Sequence, residues 1–283
     1  MDAAVPRVSE RRVHVAPLGH ERDRIVEPLR DHRADVAYLL VDAPSRNAER
    51  GAVDFDVDWD DPAATNVDVG ALTEYQRDAW TAVAAFAEVR ALPVRLGDVY
   101  DVLGVTTTIA AHHAAGVAGG DRLFANVSTG PRIAAVGVAV ACMIVGARPY
   151  SVEPTRRRHD VVSEPLTEGI ERIVDLPLYP IDAPTTDQVA VLGRLHEREN
   201  ENYTTDKWNL IEWADERDLE FLATAGESRT AKYRALETRV LTPLRDRGYV
   251  ELESVGRSDD VRLTGTGRRV FFAFKHKLQR RSE

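Results

Sequence analysis

Residues 12–42 change character twice within about thirty positions, and this constrains the fold more than any other part of the chain. Arg12–Pro17 (RVHVAP) is a short apolar run, Asp23–His32 carries a helical pattern, and Ala34–Asp42 (ADVAYLLVD) is almost continuously apolar. A strand with no polar alternation is covered on both faces, and strand–helix–strand at this spacing reads as a right-handed crossover joining parallel neighbours. The chain is thereby directed to an α/β sheet. The pattern then continues: a helix over 72–89, a strand Leu92–Leu96, mostly helix over 98–118 and a strand Arg122–Val127. A small-residue helix Pro131–Val145 and strands Arg148–Val152 and Glu171–Pro177 complete it. The predicted fold class for this part is an α/β, Rossmann-like, doubly wound parallel sheet.

In open sheets of this kind ligands sit beyond the carboxyl ends of the strands, where the strand order reverses. The first turn, Pro17-Leu18-Gly19-His20-Glu21-Arg22, has one glycine where a dinucleotide fingerprint needs three, so a nicotinamide or flavin oxidoreductase is disfavoured. The fourth-strand turn, Asn126-Val127-Ser128-Thr129-Gly130-Pro131-Arg132, leads into a helix. Ser128 and Thr129 stand where an N-cap is expected, Gly130 suits a close backbone approach, and Pro131 suits a first helical turn. Arg132 adds a cation at the positive end of that helix, so the turn is a candidate site for an anion such as a phosphodiester.

These two turns together resemble the CRISPR-associated Rossmann-fold (CARF) family. After the fourth strand that family carries Ser/Thr, any residue, Gly, any residue, Lys/Arg; Ser128-Thr129-Gly130-Pro131-Arg132 fits, and Pro17–Glu21 followed by Arg24 is similar to its first-strand turn. The resemblance covers roughly residues 10–180. It implies a homodimer that binds a cyclic oligoadenylate, or another nucleotide, across its two-fold axis. It also implies ligand contacts from Leu18, Gly19 and His20 in the first turn, and from Ser128, Thr129, Gly130 and Arg132 in the second.

Leu176–Pro184 holds three prolines in nine residues, and Thr185, Thr186 and Asp187 follow as N-cap candidates, which predicts a CARF-like ligand-sensing domain over 1–183 and a second domain over 184–283. In the second, Thr186–Glu199 is amphipathic, and Trp208, Leu210, Ile211 and Trp213 mark another helical segment that extends through Asp218–Ala223. A long helix 228–247 contains Pro243, which is expected to bend or divide it. Gly248–Gly256 alternates like a strand, Arg257–Asp260 reads as a tip, and Val261–Thr264 returns before a last helix. This is the pattern of a mainly α winged helix-turn-helix, and GYVELESVGRSDDVRLTGTGRRV is similar to the wing of many prokaryotic winged-helix regulators. The resemblance implies DNA as partner, with Arg229, Lys232, Arg234 and Arg239 on the long helix and Arg257 and Arg262 on the wing as candidate contacts.

The formal net charge of -9 hides this polarity. Residues 1–183 carry 19 basic and 28 acidic side chains, whereas residues 221–283 carry 14 basic and 8 acidic, a net of +6. A cationic segment is what phosphate neutralisation requires. The few lysines and the run of aspartates over 54–61 resemble proteins of salt-loving archaea, so the acidity reads partly as solvation. A single cysteine, Cys142, excludes an internal disulfide framework, and no motif calls for a metal or cofactor or supplies a catalytic residue. Adjacent His112 and His113 lie about 100° apart on a helix and cannot form a two-ligand metal face. No signal-peptide pattern occurs, and the apolar run Ile133–Ala147 is short of the ~20 residues of a membrane span, so a cytoplasmic protein is expected. The predicted function is a ligand-responsive, DNA-binding transcriptional regulator. The alternatives are a ring nuclease that cleaves cyclic oligoadenylate through His20 or Ser128, and an interaction adaptor that does not bind DNA.

Overall fold

The computed structural model describes residues 10–43, 67, 69–115, 121–157, 167–255 and 258–279. The chain divides into two compact units, Met1–Asp182 and Ala183–Glu283.

In the first unit the chain runs β1 (Arg12–Pro17), α1 (Arg22–Asp31), β2 (Val36–Asp42), α2 (Glu74–Ala84), β3 (Glu88–Val94), α3 (Val99–Ala115), β4 (Arg122–Asn126), α4 (Arg132–Val145), β5 (Arg148–Glu153), β6 (Arg156–Arg157), β7 (Thr167–Glu168) and β8 (Arg172–Asp175). Six strands form one sheet in the order β3-β2-β1-β4-β5-β8. β1 pairs in parallel with both β2 and β4, so the strand order reverses between β1 and β4. This is the expected Rossmann-like, doubly wound arrangement. Two details differ from expectation. β8 is antiparallel to β5, and between them in the chain β6 and β7 also pair antiparallel. The helix expected over 72–89 stops at Ala84, because Glu88 and Val89 are drawn into ladder pairing with Val36 and Ala37 of β2.

Alternation along β1 divides the core. Val13 and Val15 join a cluster with Val102, Ile109, Val138 and Cys142 from α3 and α4; Ala16 and Leu18 join the opposite cluster with Ile25, Leu29 and Val83 from α1 and α2. α4 packs closely on α3 because Gly137 lies against Val102, where an added Cβ would stand 2.9 Å from the valine side chain. Burial pushes the Cys142 thiol up to about 12, so it is an inert core group.

The second unit comprises α5 (Thr186–Asn200), α6 (Lys207–Asp215), α7 (Glu220–Ala223), α8 (Arg229–Leu236), a π-helical segment Glu237–Leu241, α9 (Thr242–Asp246), β9 (Val250–Val255), β10 (Ser258–Leu263), α10 (Gly265–Phe274) and α11 (His276–Gln279). It is the helices-plus-wing arrangement of a winged helix. The expected second helical segment is interrupted at Asp218, which sits at φ 50 between α6 and α7. The expected tip Arg257–Asp260 is largely strand instead: Ser258, Asp259 and Asp260 pair with Val255, Ser254 and Glu253.

The long helix expected over 228–247 is broken by a π segment ahead of Pro243, whose ring nitrogen has no proton for the carbonyl of Arg239. The side chain of Gln188 supplies the missing donor. Its Nε2 donates to Arg239 O at 3.0 Å, while its Oε1 accepts from Thr185 N in the capping box that starts α5. Gln188 is 5% exposed, so removing its amide strands a buried carbonyl and half of a cap. Gln188→Leu is expected to cost this unit about 2–4 kcal/mol in denaturant unfolding. A loss below about 0.5 kcal/mol would show that another group satisfies Arg239 O.

Candidate functional site

At the reversal point the turns after β1 and β4 are tied directly to each other. Thr129 is fully buried, and its Oγ1 donates to Pro17 O at 2.8 Å. A Cβ on Gly19 would stand 2.7 Å from Gly130 N and 3.0 Å from Gly130 Cα, and one on Gly130, at φ 69, would stand 2.8 Å from the Pro17 side chain. Both glycines are therefore needed for the two turns to meet, with Gly130 also in a left-handed conformation that disfavours other residues. The sequence suggests that Gly130 serves approach to a ligand; its immediate neighbour is instead the first turn.

Asn126, wholly buried at the end of β4, organises the rest. Its Oδ1 accepts from Ser128 N at 2.9 Å and from Ser128 Oγ at 2.6 Å, and its Nδ2 donates to Arg24 O at 2.8 Å. Ser128 Oγ in turn accepts from Val152 N at 3.0 Å, and Arg24 Nε donates to Val152 O at 2.9 Å. The ends of β4 and β5 and the start of α1 are thus joined in one network.

The proposed ligand-lining residues separate accordingly. Gly19 and Gly130 form the junction, and His20 lies half-buried beside it. Leu18 is 2% exposed, its side chain in the core and its carbonyl accepting from Gln76 Nε2, so the structure removes it from the lining. The hydroxyls of Ser128 and Thr129 hold the scaffold. They do not cap α4 as expected: the N-cap is Pro131, with no side-chain cap, because both hydroxyls are already bonded elsewhere. Among the described residues the N–H groups of Arg132 and Ile133 at this helix start have no partner, and the Arg132 side chain is exposed beside them. Such an end is electropositive. Arg24 and Arg157 add cations: burial lowers the Arg24 pKa, Glu21 opposes that shift, and Arg157 adds to it.

A cavity of about 440 Å³ opens at the other end of the sheet, lined by Glu10, His113, Asp121, Arg122 and Arg148. Its histidine is fully engaged. His113 Nδ1 lies 2.7 Å from Asp121 Oδ2 and Nε2 lies 2.9 Å from the Tyr38 hydroxyl, which accepts from Arg90. Burial lowers the His113 pKa despite Asp121, which favours a neutral ring within this buried chain. His113 here holds β2, α3 and the start of β4 together. Among the described residues no cluster of three His, Cys, Asp or Glu side chains could hold a metal, and no helix is long and apolar enough to cross a membrane.

On the winged helix the six candidate DNA contacts are in different states. Arg229 is exposed and stacks over Trp208 at 4.3 Å, with Tyr233 at 5.6 Å. Lys232 pairs with Asp215 at 2.7 Å, and Arg262 pairs with Glu253 across the hairpin. The Arg239 guanidinium donates to Phe221 O and Thr224 Oγ1, which commits it to the α7 turn. Arg234 is exposed and has no ion pair among the described residues. Arg257 lies outside the described residues. In its described strands the wing is acidic, with Glu251, Glu253, Asp259 and Asp260 on β9 and β10 against Arg262. Lys207, on α6, ties the wing to the π segment through Asp259 at 3.1 Å and Glu237 at 3.2 Å.

Residues 12–157, just over half of the chain, match the family described as HFX_2341_N:-like, N-terminal. The chain belongs to that family. In this HFX_2341_N-like protein residues 187–275 also match the DUF6293 C-terminal winged helix domain. Solved structures with similarity include Csm6 from Enterococcus italicus bound to cyclic hexa-2'-fluoro-hexa-dAMP, at 11% identity and TM-score 0.34, over 51% of this chain and 34% of that one. Can2 from Sulfobacillus thermosulfidooxidans in complex with cyclic tetra-adenylate matches at 13% identity and TM-score 0.36, over 94% and 64%. Protein VC1899 from Vibrio cholerae matches at 15% identity and TM-score 0.34, over 94% and 65%. The HFX_2341_N-like chain spans between about a third and two thirds of the length of these proteins. No curated protein matches it.

Sequence reasoning did not single out Asn126 or Glu21 in the HFX_2341_N-like domain, and it gave Arg24 only as part of a motif. A polar residue closing an otherwise apolar strand, two positions before a hydroxyl, was the available signal for Asn126. Glu21 had none, because its role depends on the second turn lying against the first.

Proposed function

We propose that this protein is a dimeric, nucleotide-responsive DNA-binding regulator, in which a ligand of the cyclic oligoadenylate type engages the joined turns of the first unit and the winged helix binds DNA. The observation that carries this reading is the junction of the β1 and β4 turns beside an uncapped helix start, with Arg24, Arg132 and Arg157 supplying positive charge. Exposed backbone donors at the positive end of a helix suit a phosphodiester. The candidate ligand groups are then Gly19, His20, Gly130 and Arg132, with Ser128 and Thr129 acting through the scaffold.

A second copy would cover the outer side of α4. Ile133 and Val136 are 41% and 50% exposed there, and the half-buried Ala139, Val140 and Met143 continue that face. Ile181 N donates to Met143 O, which brings exposed Leu178, Tyr179 and Ile181 beside the C-terminal end of that helix. A helix apolar on both its core side and its outer side needs a partner on each. Ligand response requires that the DNA-competent state bind the ligand with a different affinity from the incompetent one.

Ring cleavage finds less support, since Ser128 Oγ already donates to Asn126 and accepts from Val152 N. The test is thermal shift with cyclic tetra- and hexa-adenylate, followed by product analysis. A rise in melting temperature with one intact ring supports sensing. Linear products would establish an enzyme, and no shift with either ring would overturn the ligand class. On DNA, Arg234→Ala is expected to weaken mobility-shift affinity and to reduce the slope of log affinity against log salt by about 1. Affinity that does not respond to salt would favour the adaptor reading.

A further inference from the structure

Glu21, at the N-cap of α1, makes no side-chain capping bond to its own helix. Its carboxylate turns instead into the junction. Oε2 lies 3.4 Å from Gly130 N, and a Cβ on Gly19 would collide with it. Two glycines that meet leave a notch without side-chain volume, and an anion of this same protein occupies it. The surroundings are cationic: the charge of Glu21 favours the charged form of half-buried Arg24, while Arg157 opposes it. Asp23, in the next turn of chain, is already engaged, accepting from Gly169 N at 2.8 Å, so Glu21 is the carboxylate free to face the notch.

We propose that Glu21 is a built-in stand-in for a ligand phosphate, seated against Gly19 and Gly130 until a bound anion displaces it. This rests on the reading of the junction as an anion site and adds to it a regulatory part. The carboxylate offsets at Arg24 the repulsion from Arg157, which itself also lies near Glu153. It also sets a threshold, because an anion entering the notch must first swing Glu21 away and then remain near its charge. Weakly binding phosphates are discriminated against, whereas a ligand with several phosphates at two junctions of a dimer has enough contacts to displace both carboxylates.

The experiment compares the full-length protein with Glu21→Gln, which keeps the shape and removes the charge, and with Glu27→Gln on the same helix as a control for overall charge. Backbone amide resonances of Gly19 and Gly130 are followed during titration with inorganic phosphate and, separately, with cyclic tetra- and hexa-adenylate. Glu21→Gln alone is expected to move the Gly130 amide before any ligand is added. It is expected to bind both phosphate and the ring roughly tenfold or more tightly than the parent; Glu27→Gln is expected to behave as the parent. An unmoved Gly130 amide, or phosphate affinity that is equal or weaker in Glu21→Gln, overturns the stand-in. If phosphate behaves as expected while neither ring binds, the stand-in holds and the cyclic oligoadenylate reading fails.

Discussion

Asn126→Leu is expected to destabilise the first unit by about 3–5 kcal/mol and to abolish ligand binding at any concentration at which the protein remains folded. Leucine has similar bulk, so the effect isolates the amide. It removes an acceptor for Ser128 N and Ser128 Oγ and a donor to Arg24 O. Ser128 Oγ would then lose one partner while still accepting from Val152 N, and the Arg24 carbonyl would be left without its side-chain donor. Buried polar groups stranded in this way cost about 1–3 kcal/mol each. Equal stability of Asn126→Leu and the parent would mean that the network is incidental to the junction.

Val136→Asp is expected to convert a dimer into a monomer in light scattering while leaving the unfolding midpoint of the monomer close to that of the parent. Val136 is half exposed, so the aspartate meets water in a single chain. At an interface formed by α4 and the Leu178–Ile181 segment it would be an unpaired charge in apolar surroundings, worth several kcal/mol of association and so at least about a hundredfold in dissociation constant. If ligand spans two copies, the same substitution lowers ligand affinity although Val136 touches neither turn. A parent protein that is monomeric at micromolar concentration would remove this face from the account.

The α/β architecture was legible because its signals are local. Continuous apolar strands declare burial on both faces, and the Ser-Thr-Gly-Pro-Arg turn declares a strand-to-helix transition at the sheet's carboxyl edge. The antiparallel β8 was not legible, since direction depends on how the chain returns from β5 rather than on the four residues of the strand. The break at Pro243 was anticipated, but not its remedy, because Gln188 is distant in sequence from Arg239 and meets it only when α5 docks. The same limit applies to the site. Residue types marked Ser128 and Thr129 as hydroxyls near a helix start; only the fold shows that Pro17 O and Asn126 claim them. The charge count was similarly incomplete. An excess of arginine in the last residues does not reveal that Arg239 serves the α7 turn, or that the wing strands carry more acid than base.

The most direct test of a shared nucleotide site is the stoichiometry of ligand binding, by isothermal titration calorimetry of the full-length protein with cyclic tetra-adenylate and cyclic hexa-adenylate. The expected result is saturation with one of them at one ring per two chains, lost in Gly130→Val, whose added side chain would drive the two turns apart. Absence of binding heat with both rings, or saturation at one ring per chain that Gly130→Val leaves intact, would contradict it.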